Sequence, residues 1–352
     1  MPHNRCITID GTLVHDESDP WVIAEVGHNH QGELKKALEL VKAAKEAGAN
    51  AVKLQKRDNK NLFTKDFFNK PYDNENSYGA TYGLHREALE FGLAEYKEIQ
   101  AYCKELGITF FSTPFDFVSA DFLRGLDVPV YKIASGDLTN LPLIKHVAGF
   151  GKPIIVSTGA ATMDDVRRMH DAVMPINPNL VILQCTAAYP VEFEQMDLRV
   201  IDTYRKEFST AVVGLSAHDN GIAMSLAAYM LGARVIEKHF TLNRAWKGTD
   251  HKFSLEPVGM RKMVRDLQRT RIALGSPEKR MFPNEKTPRQ KMGKKLVAAI
   301  DLPAGKTITM ADIAIKSPAD GGMPPYEIEL VLGRKLLKGL AADAAFSTDL
   351  LG

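Results

Sequence analysis

The segment WVIAEVGHNH, residues Trp21–His30, joins a short apolar run to a cluster of polar and ionisable residues. An apolar run of this length, rich in β-branched and aromatic side chains, is typical of a buried strand. The polar part, Glu25–His30, lacks the GxGxxG spacing that a dinucleotide-binding sheet usually carries after its first strand. The segment therefore predicts a first strand whose end presents polar side chains rather than a glycine-rich phosphate loop.

Seven more apolar runs follow along the chain, separated by polar clusters and by amphipathic segments such as Leu34–Ala47, Tyr96–Leu106 and Met163–Met174. The runs are Ala51–Leu54, Thr109–Phe111, Val130–Ile133, Ile154–Val156, Leu180–Leu183, Ala211–Leu215 and Val235–Ile236. Eight strand–helix units over roughly 270 residues match a (β/α)8 barrel in number and length. The alternative, a doubly wound open sheet, is disfavoured by the missing glycine-rich loop. We therefore predict an α/β fold of the (β/α)8 TIM-barrel type.

The composition is that of an ordinary globular protein. Of the 352 residues 45% are hydrophobic and 25% charged, and the net charge is +2. Lysine and arginine are scattered, which argues against a nucleic-acid interface. Cys6, Cys103 and Cys185 show no CxxC spacing, so neither a disulfide framework nor a zinc ribbon is expected. Without a signal pattern or a long apolar run, we expect a cytoplasmic protein with no membrane partner.

The composition changes after the last predicted helix. Gly275–Gln290 is rich in Pro, Lys, Arg and Glu and indicates a linker, and Lys291–Gly352 consists of short β-like segments. This tail has a weak internal repeat, in which Gly293–Val297 is echoed by Gly333–Leu337 and Pro303–Gly305 by Asp343–Ala345. We predict a catalytic barrel over residues 1–280, a linker over 281–290 and a small, mainly β domain over 291–352.

Each predicted strand ends in polar or ionisable residues, and a barrel assembles its active site from these ends. The residues are Glu25, His30, Lys53, Gln55, Ser112, Thr113, Lys132, Ser135, Asp137, Ser157, Thr158, Thr186, Tyr189, Ser216, His218 and His239.

The long connection Arg57–Gly92 is either a functional loop or a disordered insertion, and its aromatic residues favour the loop.

Two histidines are candidate metal ligands. His218 and His239 follow the seventh and eighth strands, which are neighbours in a closed barrel. Two imidazoles completed by carboxylate and water suit a divalent metal such as Mn²⁺. Asp137 and Glu25 are the available carboxylates.

Two lysines indicate an anion pocket. Lys53 and Lys132 end apolar strands, where a lysine is costly unless it points into a polar site. Together with the hydroxyl groups of Thr113, Ser135 and Ser216, they suit a phosphate and a carboxylate. The alternative is a Schiff-base aldolase, in which one lysine attacks a carbonyl. The histidine pair favours the metal-dependent reaction over that alternative.

At these residues the chain resembles the sialic acid synthase family over nearly its whole length. The segments that carry the resemblance are Ile23–Gly32, Val52–Lys56, Phe111–Phe115, Tyr131–Asp137, Val156–Gly159, Gln184–Pro190, Gly214–His218, Glu237–His239, Trp246–His251 and Ser254–Pro257. The tail Lys291–Gly352 resembles the antifreeze-like (SAF) domain of that family. Their order along the chain makes the resemblance more specific than any single motif.

The resemblance implies an enzyme, a transferase that condenses phosphoenolpyruvate with an N-acylated amino sugar. It implies a divalent metal on His218 and His239, manganese with magnesium or cobalt as alternatives, supported by Asp137 through water. It assigns phosphoenolpyruvate to Lys53, Lys132, Thr113, Ser135 and Ser216, and the sugar to Glu25, Gln55, Tyr189 and Asp250, with Glu25 as the proton carrier. It also implies a homodimer in which the tail domain is exchanged and closes the partner's site.

The acceptor stays open at this point, because the chain departs from the family pattern in places. Ala187 stands where some members carry asparagine, and Lys316–Pro318 lacks the Arg-Pro pair of bacterial members. Ser77–Arg86 resembles the animal branch, whose substrate is a 6-phosphorylated sugar. N-acetylmannosamine, its 6-phosphate and a di-N-acetylated sugar of the legionaminic or pseudaminic type are the alternatives. A related keto-acid sugar phosphate synthase and a non-catalytic sugar-binding protein are disfavoured by the tail domain and by the intact histidines and lysines.

Overall fold

Eight parallel strands close into a barrel, so the (β/α)8 prediction is confirmed. The computed structural model describes residues 5–352, and the chain divides into two units, Met1–Gly275 and Ser276–Gly352. The barrel strands are β3 (Trp21–Gly27), β4 (Ala51–Lys56), β5 (Thr109–Pro114), β6 (Tyr131–Ile133), β7 (Ile154–Ser157), β8 (Leu180–Cys185), β9 (Val212–Ala217) and β10 (Val235–His239). Each pairs with the next, and β10 pairs with β3 to close the barrel.

Helices follow the strands and form the outer layer. They are α1 (Leu34–Glu46), α2 (Asn59–Leu62), α3 (Lys65–Phe68), α4 (Tyr82–Glu87), α5 (Leu93–Leu106), α6 (Phe117–Gly125), α7 (Leu141–Ala148), α8 (Met163–Val173), α9 (Val200–Glu207), α10 (Ala223–Met230) and α11 (Pro257–Leu274). Their apolar faces pack on the strands, as at Leu40 and Ala44 of α1 and Val166 and Met169 of α8. Within residues 5–352, no helix is long and apolar enough to span a membrane.

An antiparallel hairpin precedes the barrel and was not predicted. It consists of β1 (Cys6–Ile9) and β2 (Thr12–His15), joined by Asp10 and Gly11. Both turn residues have positive φ angles, 46° and 78°. An Asp-Gly pair between short apolar runs is a strong local hairpin signal, and it was available in the sequence.

The long connection after β4 is folded around aromatic side chains. It contains α2, α3 and α4, and the rings of Phe63, Phe67 and Tyr82 contact one another with centroids 4.7–5.5 Å apart. Tyr72 packs on Tyr82 and on His85 at 5.4 and 4.6 Å. The connection therefore has an aromatic cluster of its own, as its composition suggested, with Phe67 still 43% exposed.

The second unit contains α12 (Lys286–Met292) and an antiparallel pair of β11 (Lys295–Ala298) and β12 (Ile313–Lys316) around its own apolar core. Its internal repeat differs in register from the one in the sequence. Gly305 and Asp343 each end a two-residue turn, one in each half of the repeat, and both have positive φ angles, 81° and 66°. The pairing of Gly305 with Ala345 is therefore wrong, because the turn position requires a left-handed backbone that Asp adopts more readily than Ala.

One buried ion pair on the barrel wall predicts a measurable loss of stability. Lys238 and Asp219 are fully buried, and the lysine Nζ donates to the Asp219 carboxylate at 2.8 Å and to its carbonyl at 2.6 Å. Lys238→Met leaves a buried carboxylate without its cation, so the free energy of unfolding should fall by about 3–5 kcal/mol.

Urea denaturation followed by circular dichroism measures this loss. The matched control is Lys152→Met, because Lys152 pairs with Asp127 at 3.0 Å while 40% and 83% of the two side chains are exposed. An exposed pair contributes about 0–1 kcal/mol. Equal losses in the two variants would contradict the prediction.

Candidate active site

A cavity of about 770 Å³ opens at the carboxyl ends of the barrel strands. Of the strand-end residues predicted to face the site, His30, Ser112, Thr158 and Thr186 do not line it, whereas Ser157 does. The residues that were assigned a catalytic, metal-binding or substrate-binding role all line it, apart from Asp137: Glu25, Lys53, Gln55, Thr113, Lys132, Ser135, Tyr189, Ser216, His218, His239 and Asp250. They come from seven of the eight strands or the loops that follow them, together with the loop 240–256 after β10. The period of two along a strand explains part of this, because Lys53 and Gln55, like Ser216 and His218, lie on one face of their chain segments.

The innermost part of the cavity is a buried network of two lysines and two glutamates. The Nζ atom of Lys53 lies 2.6 Å from a carboxylate oxygen of Glu25 and 2.9 Å from the hydroxyl oxygen of Thr113. The Nζ atoms of Lys53 and Lys132 each lie 3.8 Å from the same oxygen of Glu237. All four charged side chains are at most 4% exposed as residues. We call these residues the lysine–glutamate network.

Burial and mutual charge set the protonation behaviour of this network. Burial raises the pKa of Glu25 even though Lys53 opposes the shift. Burial also acts to raise the pKa of Glu237, but Lys132 and Lys53 outweigh it and hold that pKa below its usual value. The pKa of Lys132 is lowered by burial. The anionic form is therefore favoured more at Glu237 than at Glu25, and Glu25 is the carboxylate better able to hold a proton.

The two predicted metal ligands lie side by side. The imidazole rings of His218 and His239 have centroids 5.3 Å apart. Nδ1 of His218 lies 3.0 Å from the carbonyl oxygen of Thr186, which only accepts, so Nδ1 carries the proton and donates. Burial lowers the pKa of His218 to about 3 and that of His239 to about 4. Both rings are thus neutral at pH 7, the form that binds a cation.

The donor set fits a divalent metal with open coordination positions. Nδ1 of His239 is buried without a hydrogen-bond partner, and an orphaned polar atom of this kind calls for a missing ligand. The hydrogen bond from His218 to Thr186 resembles the outer contact that orients metal-bound histidines. Across residues 5–352, no three His, Cys, Asp or Glu side chains are grouped to hold a metal by themselves. A cation held by the two histidines would therefore take its other ligands from water and substrate.

Asp137, the predicted supporting residue of the metal, does not line the cavity. It ends the short turn Ser135–Asp137 after β6, and its carboxylate accepts from the side-chain amide of Asn140 at 3.2 Å. Asp250 instead lies near a histidine, with its carboxylate 3.7 Å from Nδ1 of His239. The role of Asp137 beside a metal, through water, stays a prediction.

Several residues that line the cavity were not singled out from the sequence as site residues, among them Glu237, Arg57 and Arg86. Glu237 precedes His239 by two positions in β10, and Arg57 follows Lys53 and Gln55 at the same spacing. Strand alternation could have assigned both to the cavity face. Arg86 lies in the long connection, where spacing along the chain gives no such signal.

Loops on two sides of the cavity are joined by hydrogen bonds. The hydroxyl group of Tyr78 donates to the carbonyl oxygen of Lys247 at 2.7 Å, and the amide of Gly248 donates to the side chain of Asn76 at 2.9 Å. Lys252 pairs with Glu75 at 3.1 Å. The long connection after β4 and the loop after β10 thus form one rim around Asp250 and Arg86.

Comparisons with known proteins agree with this architecture. The sequence model of the NeuB family matches residues 40–279, and that of the SAF domain matches residues 295–351. The N-acetylneuraminate-9-phosphate synthase of Mus musculus is 41% identical over 95% of this chain and 93% of its own length. An N,N'-diacetyllegionaminic acid synthase of Legionella pneumophila is 37% identical over 92% of each chain. The crystal structure of an N-acetylneuraminic acid synthetase from Leptospira borgpetersenii superposes with a TM-score of 0.71 at 28% identity, covering 81% of this chain and 95% of that one.

Proposed function

The chain belongs to the NeuB family of synthases, and from this premise we propose that it condenses phosphoenolpyruvate with an N-acylated amino sugar in a metal-dependent reaction. The products are a nonulosonic acid and inorganic phosphate. The observation that supports the proposal most directly is one cavity that combines the lysine–glutamate network with a pair of neutral histidines. The acceptor is N-acetylmannosamine or its 6-phosphate.

Phosphoenolpyruvate binds at the inner end of the cavity in this proposal. Lys53 and Lys132 supply two buried positive charges for its phosphate and carboxylate. The hydroxyl groups of Thr113, Ser135 and Ser216 line the same cavity. In the proposed complex they turn from their present partners, Lys53, Cys185 and Glu237, to donate hydrogen bonds to the substrate. The displacement of water from this end strengthens each of these charge interactions.

The acceptor sugar lies further out, in its open-chain form, with its aldehyde near the histidines. A divalent cation on His218 and His239, Mn²⁺ with Mg²⁺ or Co²⁺ as alternatives, would supply Lewis-acid polarisation of that aldehyde. Asp250 and Tyr189 border the histidines and are placed to orient the sugar, since the ring of Tyr189 lies 4.2 Å from that of His218. Holding both reactants in one closed site supplies much of the rate enhancement.

The chain's own residues handle charge and protons during the reaction. C3 of phosphoenolpyruvate forms a bond to the aldehyde carbon, water adds at C2, and phosphate leaves with cleavage of the C–O bond. The aldehyde oxygen gains a proton, and Glu25, whose pKa burial raises, is the proposed carrier. Gln55 donates to the other oxygen of Glu25 at 2.7 Å and so fixes the orientation of the carboxylate.

The second candidate is a related synthase that uses a di-N-acetylated sugar of the legionaminic or pseudaminic type. The 37% identity to a diacetyllegionaminic acid synthase is close to the 41% to a neuraminate-9-phosphate synthase, so identity alone does not separate them. A Schiff-base aldolase is a weaker alternative, because Lys53 and Lys132 are both engaged with glutamates. We also propose a cytoplasmic homodimer that exchanges the tail domain; light scattering of the purified protein would test whether it is a dimer.

The decisive experiment follows phosphate release from phosphoenolpyruvate after the protein is stripped with a chelator. We expect release only when both an N-acyl acceptor and Mn²⁺ are added, with N-acetylmannosamine and its 6-phosphate run in parallel. Turnover without metal would reject the histidine-based mechanism and favour the lysines, which borohydride trapping would then report. No release with either sugar would direct the assay to di-N-acetylated acceptors, with Ser317 as the first departure to examine.

A further inference from the structure

The cavity has a second cationic end, separated from the lysine–glutamate network. Glu25 accepts from the side-chain amide of Gln55 at 2.7 Å, and the oxygen of that amide accepts from the guanidinium group of Arg57 at 2.7 Å. A carboxylate and an amide side chain thus stand between Lys53 and Arg57. Arg86 reaches the same end from α4 and also lines the cavity.

The two arginines meet on one histidine. Nη1 of Arg57 lies 3.3 Å from Nε2 of His28, and Nη1 of Arg86 lies 3.2 Å from its Nδ1. Burial and the two guanidinium charges hold the pKa of His28 well below its usual value, so the ring is neutral. A neutral imidazole has one acceptor nitrogen and one N–H group. Only one guanidinium can therefore donate to His28, and the other faces an N–H group.

The positive charge of this pair is not matched by a carboxylate contact. Among the described residues 5–352, no carboxylate oxygen lies within 4 Å of the guanidinium nitrogens of Arg57 or Arg86. Their remaining contacts are neutral, for Arg57 with Gln55 and the ring of Phe115, and for Arg86 with the hydroxyl group of Tyr82. The carboxylate of nearby Glu90 is bound to Lys56 at 3.0 Å and to the backbone amide of Arg57 at 3.2 Å.

Burial makes this arrangement costly in the absence of an anion. Arg57 is 8% exposed, and desolvation together with the charge of Arg86 lowers its pKa to about 10. The guanidinium stays charged at neutral pH, and the carboxylates of Glu90 and Asp250, which lie near but not in contact, oppose the repulsion between the two arginines only in part. Two arginine side chains whose guanidinium N–H groups are free to donate are a usual means of binding a phosphate group.

We propose that Arg57 and Arg86 form a subsite for a phosphate group of the acceptor. The acceptor is then a sugar that already carries a phosphate at the end of its chain opposite the aldehyde. This inference rests on the proposed function. Asp250 links the two regions, since it lies 3.7 Å from His239 and lines a recess together with His28 and Arg86. A sugar whose aldehyde lies at the histidines and whose chain passes Asp250 brings its terminal phosphate to the arginines. Phosphoenolpyruvate binds to Lys53 and Lys132 at the other end of the cavity.

The test compares two acceptors in the metal-loaded protein, N-acetylmannosamine and its 6-phosphate. Wild type should prefer the 6-phosphate. Arg86→Gln should lower kcat/KM for the 6-phosphate by about 10- to 100-fold, mainly through the KM for that acceptor and not through the KM for phosphoenolpyruvate. Arg86→Lys should recover part of the loss, because it keeps the charge without the planar fork. Lys60→Gln is the control, since Lys60 is an exposed cation of the same connection outside the cavity lining.

The outcomes separate this inference from the proposed function. Preference of wild type for the unphosphorylated sugar would overturn the subsite while leaving the synthase activity established. A rise in the KM for phosphoenolpyruvate in Arg86→Gln would also overturn it and assign the arginines to the other substrate. No turnover with either sugar would reject the proposed acceptor and the inference with it. Calorimetric titration with the sugar 6-phosphate, in wild type and Arg86→Gln, gives the same comparison without turnover.

Discussion

Lys53→Met is expected to reduce kcat/KM for phosphoenolpyruvate by about a thousandfold. Lys53 is 3% exposed and contacts Glu25, Thr113 and Glu237 at 2.6, 2.9 and 3.8 Å. Its loss removes one of the two cations that face the anionic substrate and leaves Lys132 alone between two glutamates. Truncating one member of a buried charge pair costs about 2–5 kcal/mol, and about 4 kcal/mol corresponds to a thousandfold change.

Steady-state kinetics with saturating acceptor measures this effect, and thermal unfolding of the variant shows whether the barrel is intact. The control is Lys42→Met, which makes the same substitution at an exposed position of α1. We expect the control to match wild type. A folded Lys53→Met protein with a wild-type KM for phosphoenolpyruvate would rule out the proposed position of that substrate.

His239→Ala is expected to abolish retention of a divalent metal and to lower kcat by about a thousandfold or more. The variant removes a neutral imidazole whose Nδ1 atom has no hydrogen-bond partner, and His218 alone is a weak ligand. With both histidines in place, a cation held there would supply several kcal/mol of stabilisation to the charge that develops on the aldehyde oxygen.

Metal retained after dialysis, measured by elemental analysis, gives a readout that does not depend on turnover. His146→Ala is the control, because His146 lies on the surface, where it contacts Asp121 at 2.9 Å. If His239→Ala retained as much manganese as wild type, the histidine pair would not be the metal site. Restoration of activity by added imidazole would support direct ligation.

Much of the active-site lining could be predicted from the sequence because strand periodicity is a local property. A run such as Val52–Gln55 fixes which side chains face the barrel interior, whatever the rest of the chain does. In a parallel barrel all strand ends meet at one mouth, so Lys53, Lys132, His218 and His239 could be assigned to one site without coordinates. The same argument applied to β10 and to the end of β4 would also have found Glu237 and Arg57.

The positions of residues in loops are not set by strand periodicity. Asp137 and Asp250 both lie beyond strand ends, yet Asp250 lies beside His239 whereas Asp137 turns to Asn140. The path of a loop depends on hydrogen bonds and packing between segments far apart in sequence, such as Tyr78 with Lys247. These contacts have no periodic signature, so the sequence alone could not show which of the two carboxylates lies beside His239.

The sequence by itself determined the barrel, the tail domain and the family, because these depend on the repeated alternation of apolar strands and helices and on motifs in a fixed order. Only the tertiary structure decided the charges and pairings of the site: which glutamate both lysines face, which histidine nitrogen has no partner, and that Arg57 and Arg86 share His28. The physical reason is that side-chain electrostatics depend on distances of a few ångströms and on burial. Both are fixed only when distant segments of the chain pack together.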